Sequence, residues 1–223
     1  MTNVAPYIDH TILKPTTVAD DVRKLCGEAA EYRFAAVCVP PPFVKSAMKF
    51  LNETDVKIST VVGFPFGYSV SKAKLGEVQQ GLLDGADELD VVVNISAIKS
   101  GSWQYLQSEI KLLLAPIRAH NKQVKVIIES GILTDDEIKL CCKIYGDEGV
   151  DYLKTSTGYA EKGASIHAVQ LMRSNLPSGI KIKASGGIRS YDAVVEFINA
   201  GADRIGCSAG VSIMKEQLSK HES

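Results

Sequence analysis

Three ionisable residues stand where an apolar strand sequence is expected, and their types point to one chemistry. Lys154 closes the run Val150-Asp151-Tyr152-Leu153-Lys154-Thr155, Lys183 closes Ile180-Lys181-Ile182-Lys183, and Asp90 lies inside Leu89-Asp90-Val91-Val92-Val93. Period-two alternation puts Lys154 on a face with Val150 and Tyr152, and Lys183 on a face with Lys181. A lysine is a nucleophile only as the neutral amine, and burial or a neighbouring cation disfavours its charged form. Two lysines brought together meet that condition for forming an imine with an aldehyde or ketone. The protonated imine is an electron sink for making or breaking a carbon–carbon bond, and Asp90 would move the protons, with or without a water. Taken alone, either lysine reads better as a snorkelling or ion-paired group. Three charged groups at one level favour the chemical reading.

The elements that must carry these residues follow a repeating grammar. Eight runs rich in Val, Ile and Phe, at 7–13, 34–39, 57–63, 88–94, 123–129, 150–155, 180–184 and 203–207, alternate with segments of helical apolar spacing. In the segment 17–32, Val18, Val22, Leu25 and Ala29 step by three or four and face one way. Thr134-Asp135-Asp136-Glu137 ahead of Ile138 is a capping box that starts another helix. Gly85-Ala86-Asp87, Gly149-Val150-Asp151 and Gly201-Ala202-Asp203 each stand between a helix and the next strand, which marks a repeated βα module. Eight such modules in 223 residues predict a (β/α)₈ barrel as one domain over 1–223, since no linker or low-complexity tract divides the chain. An open doubly wound sheet is the alternative, but no G-x-G-x-x-G opens the first helix.

In such a barrel the chemistry sits at the C-terminal ends of the strands. Gly186-Gly187-Ile188-Arg189-Ser190 follows the seventh strand and Gly206-Cys207-Ser208-Ala209-Gly210 the eighth, and backbone amides of glycine turns at these two places bind phosphate in this fold. A single Gly-Gly turn is most often only a turn. Glu129, closing the fifth strand, reads equally as a base or as a partner neutralising the two lysines. His10 beside Asp9 is placed to orient a proton relay, against the plainer reading of a satisfied structural histidine.

Composition narrows the ligand. The chain carries 25 Lys and Arg against 26 Asp and Glu, a net charge of −1, which lacks the cationic surplus of a nucleic-acid or anionic-membrane binder. A metabolite-sized ligand is expected. The five cysteines are odd in number, their only close pair is the adjacent Cys141-Cys142, and the four histidines are scattered, so neither a disulfide framework nor a metal site is expected. The first 14 residues have no basic stretch leading into an apolar one, and no apolar run approaches membrane-spanning length, so a cytoplasmic protein is expected.

Together these segments resemble the deoxyribose-phosphate aldolases. The matching stretches are Ile8-Asp9-His10-Thr11-Ile12-Leu13-Lys14-Pro15, Ala36-Val37-Cys38-Val39, Val62-Gly63-Phe64-Pro65-Phe66-Gly67, Glu88-Leu89-Asp90-Val91-Val92 and Val126-Ile127-Ile128-Glu129. The most specific are Leu153-Lys154-Thr155-Ser156-Thr157-Gly158 and Lys183-Ala184-Ser185-Gly186-Gly187-Ile188-Arg189. The resemblance implies a class I aldolase of deoxyribose phosphate catabolism, without metal or organic cofactor, that reversibly cleaves 2-deoxy-D-ribose 5-phosphate to D-glyceraldehyde 3-phosphate and acetaldehyde. It implies Lys154 as the Schiff-base lysine, Lys183 as the second lysine that perturbs it, and Asp90 as the proton-transfer carboxylate. It places Asp9 and Thr11 at the sugar hydroxyls, and Gly158, Gly186, Gly187, Gly206 and Ser208 at the phosphate. Thr157 and Cys38 complete the expected substrate-binding set, a buried structural thiol being the competing reading for Cys38. It further implies a homo-oligomer, dimer or tetramer.

The chain departs from some members in carrying Tyr159 where they have a lysine. It also departs in Ser185, and in ending Lys220-His221-Glu222-Ser223 where they end in a tyrosine. Two other readings stay open. One is a sugar-phosphate isomerase using Asp90 and Glu129 as acid and base with the lysines steering the anion, and the other is a metabolite-binding protein on the same fold.

Overall fold

The computed structural model describes residues 2–221. Strands β1 (Ile8–Thr11), β2 (Ala36–Val39), β3 (Lys57–Val62), β4 (Glu88–Val92), β5 (Gln123–Ile127), β6 (Tyr152–Lys154), β7 (Lys181–Ser185) and β8 (Arg204–Cys207) pair in parallel, each with the next, and β8 closes onto β1. Nine α-helices lie between and after them among the described residues: α1 (Ala19–Tyr32), α2 (Val44–Phe50), α3 (Ser71–Leu83), α4 (Ile95–Lys99), α5 (Trp103–Ala119), α6 (Asp135–Asp147), α7 (Ile166–Asn175), α8 (Tyr191–Asn199) and α9 (Gly210–His221). This is the expected (β/α)₈ barrel.

Five strands, β1 and β3 to β6, end earlier than their apolar runs do, whereas β2 and β8 end with theirs and β7 runs one residue further, to Ser185. Leu13, Gly63, Asn94 and Glu129 continue their runs but lie past the barrel rim, outside the strand ladders. Those residues form the loops around the mouth. Helix α1 starts at Ala19 because Asp21 accepts a hydrogen bond from the Val18 amide at 3.0 Å, while the Thr17 hydroxyl is turned back onto the Lys14 carbonyl at 2.7 Å. The capping box of α6 is present: the Thr134 hydroxyl accepts from the Glu137 amide and the Glu137 carboxylate from the Thr134 amide. Gly85, Gly149 and Gly201, which follow α3, α6 and α8, all have positive φ.

Alternation along the strands separates two interiors. Leu89, Val91 and Val93 of one strand run, and Val124, Val126 and Ile128 of the next, join the apolar core between sheet and helices. The intervening residues face into the barrel, and there Asp90, Lys125 and Lys183 are fully buried. Tyr152 shares the inward face with Lys154, as expected, but Val150 does not. It packs in the outer core, because the chain is still turning out of α6 there and the Asp151 carboxylate accepts from the Val124 amide at 2.9 Å.

Candidate active site

Pairing register fixes which inward groups meet. In β6 and β7 Lys154 is the direct neighbour of Lys183, and in β4 and β5 Asp90 is the direct neighbour of Lys125. Neighbours in a parallel ladder point the same way, so the ladder brings both lysines to the same side as the carboxylate. Lys154 Nζ donates to Asp90 Oδ2 at 2.7 Å and Lys183 Nζ donates to the same oxygen at 2.8 Å. The other oxygen, Oδ1, accepts from Lys125 Nζ at 2.8 Å and from the Ser59 hydroxyl at 2.9 Å. Below this, Asp9 pairs with Lys183 and with Arg204, each at 2.5 Å, while Glu88 pairs with Lys125 and with Arg204.

The buried cluster thus holds four cations, Lys125, Lys154, Lys183 and Arg204, against three carboxylates, Asp9, Glu88 and Asp90. An uncompensated charge in a low-dielectric interior is costly and is relieved by loss of a proton. Electrostatics identify which cation gives it up most readily. Burial pushes Lys154 down from the ordinary lysine value, Asp90 pulls it back, and the Lys183 ammonium pushes it down again, for a net lowering. At Lys125 and Lys183 burial also disfavours the charge, but the carboxylates beside them, three at Lys125 and two at Lys183, prevail and hold both above the ordinary value. Burial raises the Asp90 carboxyl, and the three surrounding ammonium groups overcome that and hold it well below the usual range. Asp9 is held low in the same way by Lys183, Lys125 and Arg204.

Lys125, Glu88 and Arg204 are members of this cluster that the sequence reasoning missed. The signal for Lys125 was the one that found Asp90, a charge inside an apolar run, Val124-Lys125-Val126-Ile127. Glu88 and Arg204 open their strands, where a charge on a strand end draws no notice.

A cavity of about 830 Å³ opens over Lys154. Of the expected residues, Thr11, Thr157, Gly158, Gly186, Gly187, Gly206 and Ser208 line it with Lys154. Asp9, Cys38, Asp90 and Lys183 are not in its lining and are fully buried in the barrel. Burial pushes the Cys38 thiol up. Ser208 and Ala209 lead from the cavity wall into the N-terminus of α9, the end of a helix that favours an anion. Gly206 is required by a close approach, because a Cβ there would lie 2.9 Å from both Lys183 Cε and Ser185 Cβ. Gly206→Ala is therefore expected to displace Lys183, costing about 1–3 kcal/mol by overpacking. A urea melt together with kcat/KM measures both effects.

Two expectations take a different form. Glu129 feels the charge of Lys154 but forms no direct ion pair with it or with Lys183 among the described residues; Asp90 and Asp9 make those pairs, and Glu129 accepts hydrogen bonds from the amide and hydroxyl of Thr157. The reason is its backbone, which turns left-handed at φ 54° just past the rim and swings the side chain toward the β6 loop. His10 takes no part with Asp9, since it alternates to the outer face, where its ring meets Glu28 of α1 at 2.8 Å and stands edge-on to Phe34. Among the described residues no three His, Cys, Asp or Glu side chains are gathered to hold a metal ion. Of the expected C-terminal departure, Glu222 and Ser223 lie outside the described residues.

The model of the DeoC/LacD family aldolases matches residues 3–220 of the chain. The chain belongs to the DeoC/LacD aldolase family. Its similarity to named members of this family is close and nearly end to end. It is 47% identical over 214 residues to deoxyribose-phosphate aldolase of Caldicellulosiruptor saccharolyticus, covering 96% of this chain and 97% of that one. With deoxyribose-phosphate aldolase of Streptococcus suis it shares 48% identity over 208 residues, 93% of this chain and 94% of the relative. The solved tetrameric deoxyribose phosphate aldolase of Aeropyrum pernix superposes with a TM-score of 0.88 at 34% identity, covering 97% of this chain and 92% of that one. DeoC/LacD membership makes the chain an aldolase, a carbon–carbon lyase.

Proposed function

We propose that the chain cleaves 2-deoxy-D-ribose 5-phosphate through a Schiff base on Lys154. The observation that carries this reading is the surplus cation of the buried cluster: Lys154 is the lysine of the group with a lowered pKa, and it is the one that lines the cavity. The neutral amine attacks the C1 aldehyde of the open-chain sugar, and loss of water leaves a protonated imine. A base takes the C3 hydroxyl proton, the C2–C3 bond breaks, and its electron pair passes into an enamine as C3 becomes the aldehyde of glyceraldehyde 3-phosphate. A proton then returns to C2, and water hydrolyses the imine to acetaldehyde and free Lys154. The proton taken and the proton returned balance. Asp90, bonded to Lys154 Nζ at 2.7 Å, supplies the shuttle, directly or through a water. The glycine turns after β7 and β8 and the start of α9 receive the phosphate.

Borohydride reduction in the presence of 2-deoxyribose 5-phosphate, followed by peptide mass mapping, tests the reading. A substrate-dependent adduct confined to Lys154 is expected. An adduct on Lys183 would exchange the two roles, and no adduct on folded protein would favour the isomerase reading, which forms no imine.

Lys183 enters as the cation that lowers Lys154, so Lys183→Leu has a signed consequence. Without its ammonium the pKa of Lys154 rises, and the limb on which kcat/KM climbs with pH moves to higher pH. Asp9 keeps Arg204, and Asp90 keeps Lys125 and Lys154, so neither carboxylate is stranded. The expected cost at neutral pH is about 10²-fold in kcat/KM. A limb that moved to lower pH would remove Lys183 from this role.

No described helix is long and apolar enough to cross a membrane. We place the enzyme in the cytoplasm, acting as a single domain over residues 1–223 and as a homo-oligomer. Light scattering on the purified chain is expected to return a multiple of 24.1 kDa.

A further inference from the structure

The mechanism above leaves Tyr159 unused, although it lines the cavity and is held there by three elements. It sits two residues beyond Thr157, and 48% of its surface is exposed. Its hydroxyl donates to the Leu13 carbonyl, past the end of β1, at 2.8 Å. Its ring stands edge-on to Phe64 in the loop after β3, with centroids 5.4 Å apart and planes at 89°. Its amide donates at 3.0 Å to the Thr157 hydroxyl oxygen, and that hydroxyl donates in turn to Glu129. A half-exposed aromatic ring with a free hydroxyl would ordinarily sample several rotamers; here the hydrogen bond and the ring contact fix it across the gap between two loops. Glu129, buried and in a left-handed backbone conformation, braces the base of this arrangement.

We propose that Tyr159 is a specificity-determining residue, whose ring and hydroxyl join the loops after β1, β3 and β6 into one wall that limits the bulk of the acceptor aldehyde reaching the enamine carried by Lys154. The proposal rests on the Schiff-base reading of Lys154. Leu13 and Tyr159 both line the cavity, so the tie between them is part of its surface. A wall formed by a ring and a backbone carbonyl discriminates by size, and pockets of this kind separate ligands by roughly tenfold for each carbon they exclude.

The test runs the aldol reaction in the direction of synthesis on the full chain, with acetaldehyde as donor. The two acceptors are D-glyceraldehyde 3-phosphate and the bulkier, uncharged phenylacetaldehyde. Tyr159→Ala removes ring and hydroxyl and is expected to raise the ratio of kcat/KM for phenylacetaldehyde over glyceraldehyde 3-phosphate by roughly tenfold or more. Tyr159→Phe keeps the edge-on contact but loses the tie to Leu13, and a rise of about two- to threefold is expected. If the alanine variant melts before assay, Tyr159→Leu takes its place. Borohydride trapping of acetaldehyde on Lys154 is run on every variant. An unchanged ratio in variants that still trap the imine overturns the wall. A parent enzyme that traps nothing overturns the Schiff-base reading instead, and the proposal with it.

Discussion

Replacing Lys154 by alanine is expected to lower cleavage of 2-deoxyribose 5-phosphate by about 10⁴- to 10⁶-fold, the scale of loss when a covalent nucleophile is removed. The reason lies in the charge balance of the barrel. Lys125, Lys183 and Arg204 are held as cations by carboxylates on two sides, so none offers a free electron pair in its place. The same balance predicts that the variant folds. Removing Lys154 leaves three buried cations against three carboxylates, a balanced set in which Asp90 keeps Lys125 and Lys183, so the cost is confined to the lost packing of the alkyl chain. A cooperative melt at a temperature somewhat below that of the parent, with cleavage abolished, is the expected pair of results. Substantial cleavage surviving in Lys154→Ala would remove the nucleophile from this residue.

Much of this was legible in the sequence because the barrel obeys local rules. Eight apolar runs, a capping box at Thr134 and glycines after three helices each follow from hydrogen bonding over a few residues, and all have their counterparts in the fold. Where a strand stops is set instead by whether a neighbour is present to pair with. Glu129 continues an apolar run yet stands beyond the last rung of β5, in a left-handed turn that no propensity announces for a glutamate.

The site divides in the same way. Lys154, Lys183 and Asp90 declare themselves as charges late in or inside apolar runs, and alternation alone puts them on the inner face. Partner choice is not local. Glu129 looked available to the lysines, and Asp9 to His10 and the sugar hydroxyls. The barrel gives Asp9 to Lys183 and Arg204 from strands at the far end of the chain, and it turns Glu129 toward Thr157. The role of Lys125 is equally a matter of register, since it meets Asp90 only because β4 and β5 align those two positions.

Asp90→Asn separates the two tasks that meet at this carboxylate. As the acceptor for Lys154, Lys183 and Lys125, Asp90 stabilises charge; as the proposed shuttle it moves a proton. Asparagine keeps the shape and one acceptor oxygen but neither holds negative charge nor takes a proton. Turnover is therefore expected to fall by about 10²- to 10⁴-fold, the contribution of a positioned acid–base group. Imine formation responds in the opposite direction. Asp90 is the group that raises the pKa of Lys154, so its neutralisation makes the amine more available, and borohydride is expected to trap substrate on Lys154 at lower pH than in the parent. Stability carries a third signature. With one carboxylate gone Lys125, Lys183 and Arg204 face only Asp9 and Glu88, and the broken buried pairing costs about 3–5 kcal/mol near neutral pH. Lys154 binds its proton less tightly folded than unfolded, so the folded state holds fewer protons as pH rises through its lowered pKa, and stability increases over that window. A variant that recovers stability with pH and accumulates imine without turning it over would fix Asp90 as the proton carrier, whereas parental turnover would assign the shuttle to another group.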